Sequence, residues 1–313
     1  MLASQSAIRN SQSAIVKEVS MKNEKYVLTR RDFIRGTICA TIGASILGLK
    51  WPDAIAKERG TSLVTVVRNK NAMDSSKNVD SAIVKKMLDE ALVKVTGRKN
   101  SKDAWLSLVK PTDMIGLVPT GHLNPTHDEV VDAVKSSLMD AGIPRDRITL
   151  AQGGADAPKE CTALIALPAL KAHWLTGIGT VLKDYIMFSG SPSSYHKSDS
   201  AKLGEIWNLP FVKGKTKLVL VDALYPLCDK GPQPDPRYKW AYNGLIAGTD
   251  PVAVEAVGLK IIEEKRKTMR GEPWPLSPPP ICVEAADKVY GLGTSNLAEI
   301  KIEHYGWDKD LLL

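Results

Sequence analysis

Residues 114–142, MIGLVPTGHLNPTHDEVVDAVKSSLMDAG, contain a strand, a loop and a helix in that order, and this order indicates the fold class. The apolar run Met114–Val118 is typical of a buried strand. Apolar residues then recur at helical spacing over Thr126–Ala141. Thr126 and Glu129 have the spacing of a capping box, which predicts that the helix begins at Thr126.

The same alternation of strands and helices continues on both sides of this unit. Strand patterns cover Ser62–Val67, Ile148–Ala151, Thr162–Leu167, Leu218–Val221, Leu245–Ala247 and Ile300–His304. Helix patterns cover Asp80–Thr96, Thr176–Phe188, Pro251–Thr268 and Ala285–Tyr290. This alternation predicts an α/β fold with a mostly parallel sheet and helices on both faces. The fold is expected as one unit or as two closely joined lobes.

The composition of the 313-residue chain is that of a globular protein. Hydrophobic residues make up 43% and charged residues 25%, which excludes wholesale disorder. No apolar run approaches the ~20 residues that span a bilayer, which excludes a protein with several membrane spans. The net charge of +7 raises the question of nucleic-acid or membrane partners, which depends on where the charge lies.

Three features near the N-terminus predict an export signal. Thr29–Arg35, TRRDFIR, resembles the twin-arginine (Tat) signal. The uncharged segment Gly36–Leu49 and the small residues of Ala54–Ala56 follow as an apolar region and a cleavage site. We therefore expect a signal over 1–56, a mature domain over 57–313 and the Tat export machinery as a partner. The protein would be periplasmic or otherwise extracytoplasmic, without a stable membrane span after cleavage; the alternative is a basic stretch before a buried helix.

Removing this signal changes the charge balance and leaves three cysteines. Residues 1–56 contain eight Lys and Arg against four Asp and Glu, so the remaining chain has a net charge of +3. No basic arm or zinc finger occurs in the sequence, so we expect no nucleic-acid partner. Cys161, Cys228 and Cys282 are widely spaced, and no iron–sulfur cluster is expected from this spacing. The Tat resemblance implies a protein exported after folding, often with a bound metal ion or another cofactor.

Five candidates for catalysis or ligand binding follow the strand pattern Thr162–Leu167. Lys171 and His173 alternate along an extended segment, which puts a cation and a titratable base on one side. With Lys183 they are the candidate catalytic residues, which would bind a small anionic ligand or move protons. Gly177 and Gly179 precede a predicted helix whose free N–H groups would bind the anion. The alternatives are a surface loop and a tight turn.

Asp250 and Glu255 are further candidates for ligand binding. Asp250 before Pro251 is a typical helix N-cap. Glu255 lies on an apolar helix face, where a carboxylate needs a partner or a raised pKa, so a functional role and a structural ion pair stay equally open. Thr126 and Asp250 both follow short strands, and we expect both at the carboxyl edge of the sheet, where α/β proteins bind ligands.

Imidazole and carboxylate groups are the remaining candidates, because both bind metal ions. The candidate metal ligands are His127, His196 and Asp222. We further expect His127, Lys171, His173 and Glu255 to converge in one pocket.

Several blocks of the chain resemble the domain-of-unknown-function 362 family. Leu167–Gly177, LPALKAHWLTG, is similar to the central signature of that family. The other similar blocks are Thr126–Val131, Tyr195-His196, Leu218–Ala223 and Gly248–Val254. The resemblance is closest to a Tat-exported subgroup and implies no established reaction. The chain departs from the family pattern at Val118-Pro119, at Asp184, where Asn is usual, and at Glu255, where Asp is common.

These observations lead to two functional hypotheses of different classes. The first is an exported α/β enzyme that depends on a metal or cofactor and acts on a small anionic substrate through Lys and His acid–base residues. The second is a periplasmic protein that binds a ligand or a metal, or assists metal-centre maturation, without catalysis. A third interpretation is structural, with the polar residues only holding loops in place.

Overall fold

The structure, a computed structural model, describes residues 61–313, and the predicted export signal lies outside these residues. The strands are β1 (Ser62–Arg68), β2 (Ile115–Pro119), β3 (Ile148–Leu150), β4 (Ala163–Leu167), β5 (Ala169–His173), β6 (Gly177–Ile178), β7 (Thr216–Leu227), β8 (Gly244–Gly248) and β9 (Ile300–Gly306). The helices are α1 (Ser81–Thr96), α2 (Ser101–Leu108), α3 (Asp128–Asp140), α4 (Val181–Asp184), α5 (Leu203–Trp207), α6 (Pro251–Arg270) and α7 (Ile281–Lys288).

One nine-stranded sheet organises these elements in the order β3-β2-β4-β7-β8-β1-β9, with β5 beside β7 and β6 beside β5. Most neighbouring strands are parallel, which confirms the predicted α/β class. The long strand β7 pairs first with β4 and then with β5, because Pro168 separates those two strands. The described residues group into one compact unit.

The hydrophobic core has one layer on each face of the sheet. Alternate residues of β7 point to opposite faces, so Leu218 and Leu220 pack with α1, α2 and α3, whereas Val219 and Val221 pack with α4, α5, α6 and α7. Burial on both faces explains why the strands are nearly continuous apolar runs. Helices therefore cover both faces, as the sequence predicts. Within residues 61–313, no helix is both long and apolar enough to cross a membrane.

The direction of β8 overturns one expectation. This strand is antiparallel to both of its neighbours, β7 and β1, and Gly248 lies opposite Val219 near the start of β7. The chain therefore leaves β8 at the edge of the sheet where the parallel strands begin. Asp250 lies at that edge, and the prediction that it shares the carboxyl edge with Thr126 is wrong.

Two helix predictions also differ from the structure. α3 begins at Asp128 after the N-cap residue His127, because the Thr126 hydroxyl donates to Leu167 O instead of capping the helix. The predicted helix Thr176–Phe188 is replaced by β6, the four-residue helix α4 and a 3-10 turn over Tyr185–Ser189. Its apolar residues face the core on several sides, so their helical spacing does not mark one helix face.

Candidate functional site

A cleft of about 550 Å³ lies at the carboxyl end of β2 and along β5. Its size is that of a site for a small molecule. The titratable side chains in its wall are His122, Lys171, His173, Lys183, Asp184 and His196. A second cavity of about 670 Å³ lies beside β3 and α3, and its wall contains no histidine. The predicted catalytic residues therefore meet in the smaller of the two cavities.

Lys171 lies on β5, and its side chain connects this strand to the loop after β2. The ammonium group Nζ donates to the backbone oxygens of Leu123 and Asn124, both at 3.2 Å. Burial lowers the pKa of Lys171 to about 8, although the nearby Asp184 carboxylate opposes this shift. Lys171 thus holds the loop in place with two donors and keeps its charge beside the cleft.

His173 is a neutral hydrogen-bond donor in this cleft. Its Nδ1 accepts from the backbone N–H of Leu175 at 3.1 Å, so the proton of the neutral ring lies on Nε2. Burial lowers the pKa of His173 to about 3, and the charges of Lys183 and His196 add to this shift. The ring is therefore uncharged at neutral pH in the absence of a ligand.

His196 and Gly179 lie against the His173 ring. The imidazole rings of His173 and His196 stack with centroids 5.7 Å apart. A side chain at Gly179 would meet the His173 ring, since a Cβ there would lie 3.1 Å from Cδ2. The predicted role of Gly179 as an anion-binding helix start is not the role that the structure shows, because this glycine makes room for His173.

Glycine is needed at position 177 for a different structural reason. Its backbone φ is +79°, and a Cβ there would lie 2.7 Å from Pro278 O, so a side chain would clash. The free N–H groups that the sequence predicts after Gly177 are also engaged, because Val181 N donates to the carboxylate of Glu255. Gly177 is not in the wall of the cleft.

Lys183 and Asp184 enter the cleft together on α4. Burial lowers the pKa of Lys183 to about 8, against the effect of Asp184. Burial raises the pKa of Asp184 to about 7, against the effects of Lys171 and a hydrogen bond from Thr120. The Thr120 hydroxyl donates to Oδ1 of Asp184 at 3.1 Å, whereas the buried Oδ2 has no hydrogen-bond partner among the described residues.

Glu255 binds the beginning of α4, the helix that contains this pair, from outside the cleft. It lies on α6, is fully buried, and accepts from Val181 N at the beginning of α4. Burial raises its pKa to about 8 despite the backbone N–H donors. Glu255 does not line the cleft, so its position fits a role in holding α4 rather than contact with a ligand.

His127 and Asp222 form a separate pair between α3 and β7. Asp222 Oδ2 accepts from both the backbone N and Nδ1 of His127, at 2.8 and 2.6 Å. Burial would lower the pKa of His127, but the hydrogen bond and charge of Asp222 raise it. Neither residue lines the cleft, so the expected convergence of His127, Lys171, His173 and Glu255 is wrong for His127 and Glu255.

Asp250, the remaining candidate, is a structural cap at the opposite edge. Its carboxylate accepts from Val252 N and Ala253 N of α6, as expected for an N-cap. It also accepts from the Ser62 hydroxyl at 2.7 Å and from Thr294 N at 3.1 Å. These donors use its oxygens to join α6, β1 and the segment before β9.

The donor set does not fit a metal centre. Over residues 61–313, no three His, Cys, Asp or Glu side chains are grouped so that they could hold a metal ion. His196 stacks on His173, whereas His127 pairs with Asp222, so the three candidate ligands do not form one cluster. Two lysine ammonium groups in the cleft would repel a cation.

Sequence reasoning missed part of the cleft. Asp184 appears in the sequence only as a departure from a family pattern, although it follows the candidate Lys183 directly. Thr120 and Leu123 belong to a loop without a recognisable motif, and only tertiary contacts bring this loop to β5 and α4. The signal that could have identified them is the loop's position at the end of a parallel strand.

Comparisons with known proteins agree with part of the resemblance. A model of the family "Domain of unknown function (DUF362)" matches residues 154–260. This segment contains Lys171, His173, Lys183 and Asp184, whereas the loop after β2 lies before it. No curated protein and no solved structure matches the chain. The basic wall of the cleft thus lies in a segment that is similar to DUF362, a family described as a domain of unknown function.

Proposed function

We propose that the cleft binds a small anionic substrate and that the protein is an enzyme that moves a proton on this substrate. One observation carries the proposal. Lys171, Lys183 and the neutral donor His173 line one cleft, and among the described residues that form its wall Asp184 is the only acidic one. Lys171 has two backbone acceptors, but burial makes the Lys183 ammonium group costly without a partner. An anion beside Lys183 offsets this cost.

Each residue has a distinct role in the proposal. Lys171 and Lys183 attract the anion, and Nε2–H of His173 donates to one of its oxygens. Asp184 and Lys183 have pKa values of about 7 and about 8, which suits a general base and a general acid near neutral pH. A bound anion raises the pKa of Lys183 and keeps this residue protonated. Asp184, the carboxylate in the wall of the cleft, is then the residue that accepts the proton.

The described residues in the wall of the cleft do not fit a metal ion, so the proton moves between the substrate and the side chains named above. Elemental analysis of protein purified from its native compartment tests the metal expectation directly. A stoichiometric metal would return His127, His196 and Asp222 to consideration as ligands.

Hydrogen exchange on small carboxylates in D₂O tests the proposal. The protein is incubated with 2-hydroxy and 2-oxo acids, and proton NMR follows the loss of the signal at the carbon next to the carboxylate. Exchange by the wild type and its loss in Lys183→Met support the enzyme. Lys102→Met is the matched control, because Lys102 is an exposed lysine on α2, on the opposite face of the sheet.

A ligand-binding protein without catalysis is the second candidate, and the same basic cleft supports it. Thermal stabilisation by phosphate or small carboxylates, lost in Lys183→Met, with no exchange on any acid, favours this candidate. Absence of both stabilisation and exchange contradicts both candidates and leaves the structural interpretation.

We also propose export by the Tat pathway to an extracytoplasmic compartment, supported by TRRDFIR at Thr29–Arg35 and the apolar segment after it. Replacing Arg30 and Arg31 by Lys in the full chain tests this proposal. Cell fractionation should then show the precursor in the cytoplasm. Normal export of the double variant contradicts the proposal.

A further inference from the structure

The wall of the cleft contains two large apolar side chains that are exposed. Leu123 and Met187 are 41% and 42% exposed, respectively, and both line the cleft. Leu123 follows β2, and Met187 lies in the 3-10 turn after α4. The basic residues of the cleft lie on β5 and α4, so apolar and charged surface adjoin within one site.

The backbone at Leu123 is held in a conformation that this residue rarely adopts. Leu123 and Asn124 have φ values of +54° and +68°, in the left-handed region. Asn tolerates this region, whereas Leu does not favour it. Strained backbone persists only where its surroundings hold it, and here Lys171 binds the oxygens of both residues. The loop thus keeps an apolar side chain at the cleft at a conformational cost.

Met187 differs from its neighbours in the 3-10 turn. Tyr185, Ile186 and Phe188 are buried in the core, whereas Met187 is exposed. Methionine is flexible and polarisable, so it adapts to apolar ligands of different shapes. Two exposed apolar residues beside a basic cluster match a ligand with both an apolar and an anionic part.

We propose that the ligand of this cleft is an anion with an apolar body, whose head group contacts Lys183 and His173 and whose body packs on Leu123 and Met187. The inference rests on the proposed function and names the substrate class of the same site. A carboxylate and a phosphate monoester share the required chemistry of the head group. The volume of about 550 Å³ accommodates a body of several carbon atoms beside the head group.

Calorimetric titration with two homologous series tests the proposal. The probes are straight-chain carboxylates from acetate to octanoate and alkyl phosphates of matched length, all below their micelle concentrations. Affinity should rise about fourfold for each methylene that becomes buried, since each buried methylene contributes a similar transfer free energy. The series that binds more tightly identifies the head group.

Two variants test where the body binds. In Leu123→Asn combined with Met187→Ser, the gain for each methylene should be lost while the affinity for acetate or methyl phosphate is unchanged. Asn keeps the left-handed backbone accessible, and Met187→Ser alone is the second variant if the loop variant unfolds. Val289→Ser is the matched control, because Val289 is 71% exposed and does not line the cleft.

The outcomes separate this inference from the proposed function. Binding of short anions without any dependence on chain length overturns the apolar body and keeps the anion site. A chain-length dependence that survives in the double variant overturns the assignment to Leu123 and Met187. No binding of any anion in either series contradicts the proposed function itself.

Discussion

Asp184 and Asp250 are the same residue type at opposite edges of one sheet, and their surroundings differ. Asp250 accepts hydrogen bonds from a hydroxyl and three backbone N–H groups, which join three elements. Asp184 accepts from Thr120, and its buried Oδ2 has no partner among the described residues. The donors of Asp250 make it part of the fold, whereas Asp184 lines the cleft and keeps one oxygen unpaired within residues 61–313.

The two edges differ in the same way beyond these residues. At the edge with Asp250, the carboxylate is used in capping α6 and fixing β1. At the cleft, Lys183 and Asp184 both have pKa values displaced towards neutrality by burial. Shifted pKa values in a cleft are typical of functional sites.

The largest expected effect is on catalysis at Asp184. Asp184→Asn should lower the exchange rate on the accepted acid about 100-fold, because the amide cannot take up the proton. Stability near neutral pH should not fall, since the variant keeps the shape of the side chain and the acceptor for Thr120 and removes a charge that burial disfavours. NMR exchange rates and urea unfolding measure the two quantities. A large loss of stability with unchanged exchange would make Asp184 a structural residue like Asp250.

Asp250→Ala should have the reverse effect. Loss of the N-cap and of the contacts with Ser62 and Thr294 should lower the free energy of unfolding by about 2 kcal/mol. Anion binding in the cleft should be unchanged, because Asp250 lies at the other edge of the sheet. Urea denaturation and calorimetric titration check the two parts, and weakened anion binding in a folded variant would contradict the separation of the edges.

His173 should make stability depend on pH. An unfolded histidine takes up a proton as the pH falls below about 6.5, whereas folded His173 stays neutral down to about 3. The wild type should therefore lose stability as the pH falls from 6.5 towards 3. His173→Gln should remove the part of this loss that comes from His173, which amounts to about 3 kcal/mol by pH 4. Urea unfolding of both proteins between pH 4 and 7 is the measurement, and parallel pH profiles would contradict the assignment.

Glu255 should make stability depend on pH with the opposite sign. Its pKa is about 8 in the folded protein and near 4.5 when unfolded, so its stabilising contribution is present below pH 4.5 and is lost as the pH rises towards 8. Glu255→Gln should flatten this dependence by about 3 kcal/mol between pH 5 and 8, while α4 keeps an acceptor for Val181 N. Thermal melts of the wild type and the variant from pH 5 to 8 measure this dependence of stability on pH. A steeper dependence in the variant would contradict the raised pKa of Glu255.

Much of the fold was predictable because buried strands and amphipathic helices have clear periodic patterns. The predicted helices Asp80–Thr96 and Pro251–Thr268 nearly coincide with α1 and α6. The direction of β8 was not predictable, since five apolar residues pack equally well in either direction. The antiparallel pairing comes from contacts with β1 and β7, which are distant in sequence.

The candidate site was predictable where charge and spacing occur within one segment. Lys171 and His173 alternate along β5, and the structure places both side chains at the cleft. His127 was wrongly expected to converge with them, because it pairs with Asp222 within β7 and does not line the cleft. The tertiary packing that decides which of these residues line the cleft distinguishes the cases, and no local sequence pattern contains that packing.

The loop held by Lys171 also has a consequence for how such proteins can diversify. The loop joins β2 to α3, whereas Lys171, Lys183 and Asp184 lie outside it on β5 and α4. A different loop could therefore be grafted between β2 and α3 and leave the charged wall intact if it keeps Thr120 and the backbone oxygens that bind Lys171. Selectivity for the body of a ligand and recognition of its head group are then separable modules, which an engineer can vary one at a time.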